Sequence, residues 1–285
     1  MRPHGRIDHR FLALLRVVSL DRGGCVSRPI RVYRSEAVVL KAQDYGEADR
    51  ILTLYTPAHG KVRAIAKGVR RTKSRTSGHV DLFTRSNLLI AVGRQLDIIT
   101  QAETVETFAG LRRNLWHVAQ ATYIVELVEG FSAEELANHG LYTLLIDTLR
   151  RLATSDDPFL AVRACELQLL GLTGYQPQLF RCLHCNERIE PGSNRFSARL
   201  GGVLCPACEA SDRTAAPVSV DALKVMRNLQ TNEQAMLRVG PLAQNVQREV
   251  EKRLQEYIVY RLERRVRSVT FLDRLRSDVF APPQS

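Results

Sequence analysis

Four cysteines constrain this chain more than any other residues: Cys182, Cys185, Cys205 and Cys208 fall in a C-x2-C-x19-C-x2-C pattern. A two-residue gap lets both thiolates of a pair converge on one ion, and two pairs supply the sulfur tetrahedron of a structural Zn2+ site. Two disulfides or a thioredoxin-like redox pair are the competing readings. A redox site, however, needs one C-x2-C at a helix start rather than two matched pairs. Four thiolates close the coordination sphere and leave no position for a catalytic water, so one Zn2+ is expected here as a scaffold. Function is to be sought in what surrounds it.

The formal net charge of +11 is unevenly spread. Six Arg face two Asp in residues 1–30, thirteen Lys/Arg face eight acids in residues 31–110, and twenty-two face twenty in the remaining 175. The positive field is N-terminal, which points to a polyanionic partner there. No apolar run approaches the roughly 18 residues of a membrane span. The short apolar stretch at 11–15 is interrupted by Arg16 and followed by no small-residue cleavage site, so it does not read as a signal peptide. A reducing cytoplasm fits all six cysteines; Cys165 reads as an inert core thiol.

Residues 1–30, including Cys25, show no sustained periodicity and read as a flexible basic extension, or as the product of a start site placed too far upstream. From there to residue 108 the pattern is β: strands are expected at 36–41, 50–56, 61–67, 86–92 and 95–101, with turns at His59-Gly60 and Gly93-Arg94. Five short strands at this spacing predict an oligonucleotide-binding (OB) barrel over 31–108, with an SH3-like barrel or a generic sandwich as alternatives. After Phe108 the period becomes 3.6, predicting an all-α domain over 109–285 with the cysteine segment 180–210 inserted. Leu111, Leu115, Val118, Thr122 and Val125 share one helix face; Gly171 and Gly174 break a later helix; and Val246, Val250, Leu254, Ile258 and Leu262 form an i,i+4 stripe. The fold class is therefore α+β and multidomain.

The basic segment carries the clearest functional signal. Lys61, Arg63, Lys67, Arg70, Arg71, Lys73 and Arg75 lie within fifteen residues that contain no acid. Strand alternation places Lys61, Arg63 and Lys67 on one face and Val62, Ala64 and Ala66 on the other. Beyond Gly68 the remaining cations alternate with hydroxyls in what reads as a mobile loop. Cations that track a chain without fixing base identity suit phosphate backbones, so these seven are the candidate DNA contacts. Tyr33, Tyr45, Tyr55, Phe83 and Phe108 are the aromatics available for base stacking. Asp44, Glu47 and Asp49 read as partners for cations such as Arg50 rather than as a nuclease metal cluster. No P-loop, G-x-G-x-x-G, H-E-x-x-H or G-x-S-x-G motif occurs, so no enzyme class is indicated.

The ordered set of EAVVLK at 36–41, YGEADRILTLYT at 45–56, GKVRAIAKGVRR at 60–71, YIVELV at 123–128, CELQLLGLTGYQP at 165–177 and the cysteine pairs resembles the bacterial recombination mediator family RecO across residues 33–277. The resemblance implies an OB barrel, a helical domain and an inserted zinc knuckle. It also implies binding of single- and double-stranded DNA, annealing of complementary strands, and exchange of single-strand binding protein for recombinase. The implied partners are RecR and the acidic, hydrophobic C-terminal tail of single-strand binding protein; Arg112, Arg113, Arg150, Arg151 and Arg163 are cations that could rim a pocket for that tail, but each reads equally as an ordinary surface charge and no tail site is assigned. Such a protein would work in the cytoplasm at the nucleoid, without catalysis. A zinc-ribbon transcription or translation factor is the alternative that zinc and basic charge alone would equally allow.

Overall fold

The computed structural model describes residues 31–231 and 242–279; the readings made for residues 1–30, and the part of the expected helical domain at 232–241 and 280–285, lie outside them. The chain divides into two compact units, one ending at Thr107 and the other starting at Phe108.

The first unit is a closed barrel of five strands, β1 (Val32–Tyr45), β2 (Asp49–Thr56), β3 (Gly60–Ala66), β4 (Arg85–Ala91) and β5 (Asp97–Glu106), in the order β1-β2-β3-β5-β4. β4 pairs back onto β1, and a short parallel contact between β3 and β5 (Ala64 with Asp97, Ile65 with Ile98) completes the closure. Alternation fills the interior: Ala37, Val39, Leu52, Leu54, Ala64, Ala66, Leu88, Ile90 and Ile99 form one buried cluster. β1 and β5 are longer than their apolar cores suggest, because ladder pairing with β2 and β4 carries them through polar residues. Gly60 turns the β2–β3 hairpin at φ +62°, a conformation that glycine adopts without steric cost.

The second unit contains α1 (Leu115–Phe131), α2 (His139–Thr154), α3 (Phe159–Leu172), α4 (Val220–Thr231), α5 (Gln244–Leu262) and α6 (Arg267–Val279). Asn114 and Asn138 cap α1 and α2, their side-chain oxygens accepting the N–H groups of His117 and Leu141, each at 3.0 Å. The stripe expected on α1 is not its core face: Leu115 is 55% exposed, whereas Ala119, Tyr123, Ile124 and Leu127 are fully buried. α1 packs against α2, α3 and α6 at once, so apolar residues surround most of it and a single-face periodicity loses its meaning. The α5 stripe holds for Val246, Val250, Leu254 and Ile258. α3 continues through Gly171 and ends in a Schellman motif: Gly174, at φ +82°, donates to the Gly171 carbonyl and Tyr175 N–H donates to Leu170 O at 2.7 Å. α6 was not foreseen. Its first N–H groups are capped by a residue distant in sequence, the Glu126 carboxylate of α1 accepting from Arg267 N at 2.8 Å and Ser268 N at 2.9 Å.

Between α3 and α4 a small sheet, β6 (Arg195–Ser197), β7 (Gly202–Leu204) and β8 (Ala216–Pro217), carries the cysteines. No helix among the described residues is long and apolar enough to cross a membrane.

Candidate metal centre and nucleic-acid interface

The cysteine pairs meet. Cys182 and Cys185 sit on a turn whose Asn186 adopts φ +60°, and Cys205 and Cys208 follow β7 on a short 3-10 turn. All four sulfurs lie within 4.8 Å of one another, and Cys185 and Cys205 Sγ are 3.8 Å apart. A tetrahedron with metal–sulfur arms of about 2.3 Å has edges of about 3.8 Å, so the spacing fits one zinc ion. None of the four is in a disulfide, which removes that alternative. Burial works against ionisation of Cys182, but N–H groups of Cys185, Cys205 and His184 aimed at its sulfur outweigh it and hold the thiol down at about 6. Burial and three neighbouring thiols push Cys208 up to about 12. Four sulfurs this close cannot all shed protons unless a cation lies among them. The supporting shell is built for rigidity: buried Asp212 accepts from Ser197 Oγ at 2.5 Å and from Thr214, locking β6 to the second cysteine turn. Ser197 and the other donors hold the Asp212 carboxyl down at about 2.

The seven cations lie on β3 and on the loop that follows it. Arg63 and Lys67 point outward from β3 and its end, Lys61 is half-buried, and Val62, Ala64 and Ala66 point in, as alternation requires. Arg70, Arg71, Lys73 and Arg75 are exposed on the following loop. That loop is anchored rather than free. Val69 and Val80 are buried in the barrel core, Arg70 N–H donates to Ala48 O at 2.9 Å, and Gly68 N–H donates to Asp49 Oδ1 at 2.7 Å. Its far end is pinned by His79, whose Nδ1 accepts from Thr104 N–H at 3.2 Å.

The cations differ in availability. Arg70 Nε lies 3.4 Å from Asp44, which also holds Arg50 at 3.0 Å. Asp44 and Asp49 thus serve cations and backbone. Arg63, Lys67, Arg71, Lys73 and Arg75 have no carboxylate within ion-pair reach among the described residues. Of the barrel aromatics, Tyr55, Phe83 and Phe108 are buried and only Tyr45, at 56% exposure, stands open for stacking.

In the helical unit Arg163 departs from its sequence reading. It is neither surface charge nor rim: it is 1% exposed, with Nη2 3.1 Å from Glu166 and Nη1 3.6 Å from Glu251. Glu251 also binds Arg276 at 2.8 Å, so α3, α5 and α6 share one charge network. Burial pushes Glu166 up to about 7 against the pull of Arg163, and Tyr123 donates to its carboxylate at 2.5 Å. Arg163 also forms the floor of a cleft of about 560 Å³ walled by Trp116, Phe159 and Val162, with Arg248 exposed beside it. Phe159, Val162 and Arg163 share one face of α3, whereas Trp116 comes from α1 and Arg248 from α5, and no spacing in the sequence joins those three helices.

A closed five-stranded barrel is thus followed in sequence by a helical unit that carries a four-cysteine centre. The family model described as "Recombination protein O N terminal" matches residues 30–108, and "Recombination protein O C terminal" matches residues 112–270. The chain is 41% identical over 249 residues to a DNA repair protein RecO of Roseiflexus sp. strain RS-1, covering 86% of this chain and 87% of that protein. It is 40% identical to the DNA repair proteins RecO of Pelotomaculum thermopropionicum and Desulforudis audaxviator, each covering 86% of this chain and 95% and 98% of theirs. The chain belongs to the RecO family.

Proposed function

We propose that this protein is a recombination mediator. In this reading it binds single- and double-stranded DNA through its basic barrel segment, anneals complementary strands and promotes exchange of single-strand binding protein for recombinase. The observation that carries the reading is the acid-free run of seven cations, five without a carboxylate partner among the described residues, on an anchored loop and one strand of an OB-like barrel. Annealing requires no covalent step: cations neutralise two strands, counterions leave, and repulsion between the strands falls. The four-cysteine centre is assigned to one structural Zn2+ held by Cys182, Cys185, Cys205 and Cys208, which fixes the fold and performs no chemistry.

RecR and the C-terminal tail of single-strand binding protein are the protein partners this reading requires, and a cytoplasmic, nucleoid-associated location follows. The tail's acidic and apolar character suits the helical-unit cleft, where Trp116 and Phe159 offer apolar walls and Arg248 is an exposed cation beside them. A strand-annealing assay on complementary oligonucleotides, bare and coated with single-strand binding protein, tests the proposal. Acceleration in both cases is expected; no acceleration of bare strands would overturn it.

A further inference from the structure

The helical unit carries an exposed aromatic surface that neither the metal centre nor the cleft uses. Tyr175 and Tyr260 are 43% and 47% exposed. Both are held rather than loose. The Schellman end of α3 sets the backbone of Tyr175, its carbonyl accepts the Tyr257 hydroxyl at 2.8 Å, and its ring packs against Phe131 with centroids 5.8 Å apart. On α5 the Arg261 guanidinium lies 4.9 Å from the Tyr257 ring centroid and 5.5 Å from that of Tyr260. The hairpin between the two cysteine pairs reaches the same place. Gly201, at φ +90°, approaches so closely that a Cβ there would lie 2.5 Å from Arg261 Nη2 and 3.1 Å from the Tyr257 hydroxyl.

Charge decides what such a surface takes. Arg261, Arg264, Arg265 and Arg267 follow within seven residues, with Glu263 the single acid among them. None of these four guanidinium groups has a carboxylate within ion-pair reach among the described residues. Rigid open rings beside unneutralised guanidinium groups offer π faces to bases and cations to phosphates, the pairing that single strands use without sequence preference.

We propose that this surface is a second strand-binding platform, taking single-stranded DNA whose bases stack on Tyr175 and Tyr260 while Arg261 and the arginines after it hold the phosphates. The idea deepens the annealing reading and rests on it, since annealing needs two strands held by one protein and the barrel segment supplies one. It also gives the metal centre a consequence beyond stability, because the cysteine-anchored hairpin backs the Tyr257–Arg261 pair.

The test measures binding of a labelled single strand, and of an abasic strand of equal length, to the full chain and its variants. Tyr175→Ala and Tyr260→Ala should each weaken the single strand about five- to tenfold. They should leave its salt slope and the abasic strand unaffected. The Tyr→Phe variants keep the ring and should bind as the parent does, which separates stacking from a folding defect. Arg261→Gln should lower the salt slope. Equal losses on both strands, or unchanged binding of the single strand, would overturn the proposal, as would loss of a protein partner with DNA binding intact. The barrel reading is judged separately: if the alanine variants at Arg70 and Arg71 bind normally while the tyrosine variants fail, the barrel assignment falls and this platform stands.

Discussion

Arg70 and Arg71 are adjacent and both exposed, yet their electrostatic surroundings make different predictions for DNA binding. Each cation that neutralises a phosphate contributes about 0.7–0.9 to the slope of log affinity against log salt. Seven engaged cations would give a slope of about 5–6, and Arg70→Ala with Arg71→Ala should lower it by up to about 1.8. The two shares are unequal, however. Arg70 is already paired with Asp44 at 3.4 Å, whereas Arg71 has no carboxylate within reach among the described residues. An approaching phosphate must compete with Asp44 for Arg70, so Arg71→Ala alone should remove a full share and Arg70→Ala less. Asp44 also faces Arg50 at 3.0 Å, and exposed pairs of this kind are worth about 0–1 kcal/mol. Asp44→Asn should therefore free Arg70 and strengthen binding by up to about fivefold, while Arg50 keeps its pairing with Asp81 at 3.3 Å. Anisotropy titrations of a labelled strand between about 50 and about 200 mM salt would read all four variants. An unchanged slope in the double variant, or weaker binding by Asp44→Asn, would refute the assignment of this loop.

Cys205→Ser, or removal of zinc with a chelator, should unfold or loosen the helical unit first, because structural zinc supplies apparent binding energy of about 10–16 kcal/mol to folding. Thermal melts with metal analysis would show it; an unchanged melting temperature after zinc loss would contradict the scaffold role. Arg163→Met should cost about 3–5 kcal/mol by stranding the buried Glu166 carboxylate, and adding Glu166→Gln should recover much of the loss, as read from urea midpoints. A single variant as stable as the parent would mean that the network does not hold α3, α5 and α6 together.

Local chemistry made much of this architecture legible. Strand alternation around Val62, Ala64 and Ala66 assigned the outward cations correctly, because a period of two leaves little choice when one face lines a barrel. Paired C-x2-C spacing located the four-sulfur cluster, since each pair converges by local turn geometry alone. The failures share a different cause. α6 was missed because its N-terminus is capped by Glu126 of α1, more than a hundred residues away. The α1 stripe was misread because three helices surround it, and Arg163 was read as surface because the i+3 spacing to Glu166 says nothing of burial and no sequence pattern reveals Glu251 arriving from α5.

By itself, then, the sequence determined that four sulfurs would gather at one point and that a basic strand would face outward from a barrel, because both follow from spacing along a few residues. Only the tertiary structure decided that the four sulfurs span 4.8 Å, that Asp44 restrains Arg70, and that the cysteine-anchored hairpin reaches Tyr257 and Arg261. Those facts depend on elements distant in the chain, brought together by burying a common core, and no local pattern encodes their distances.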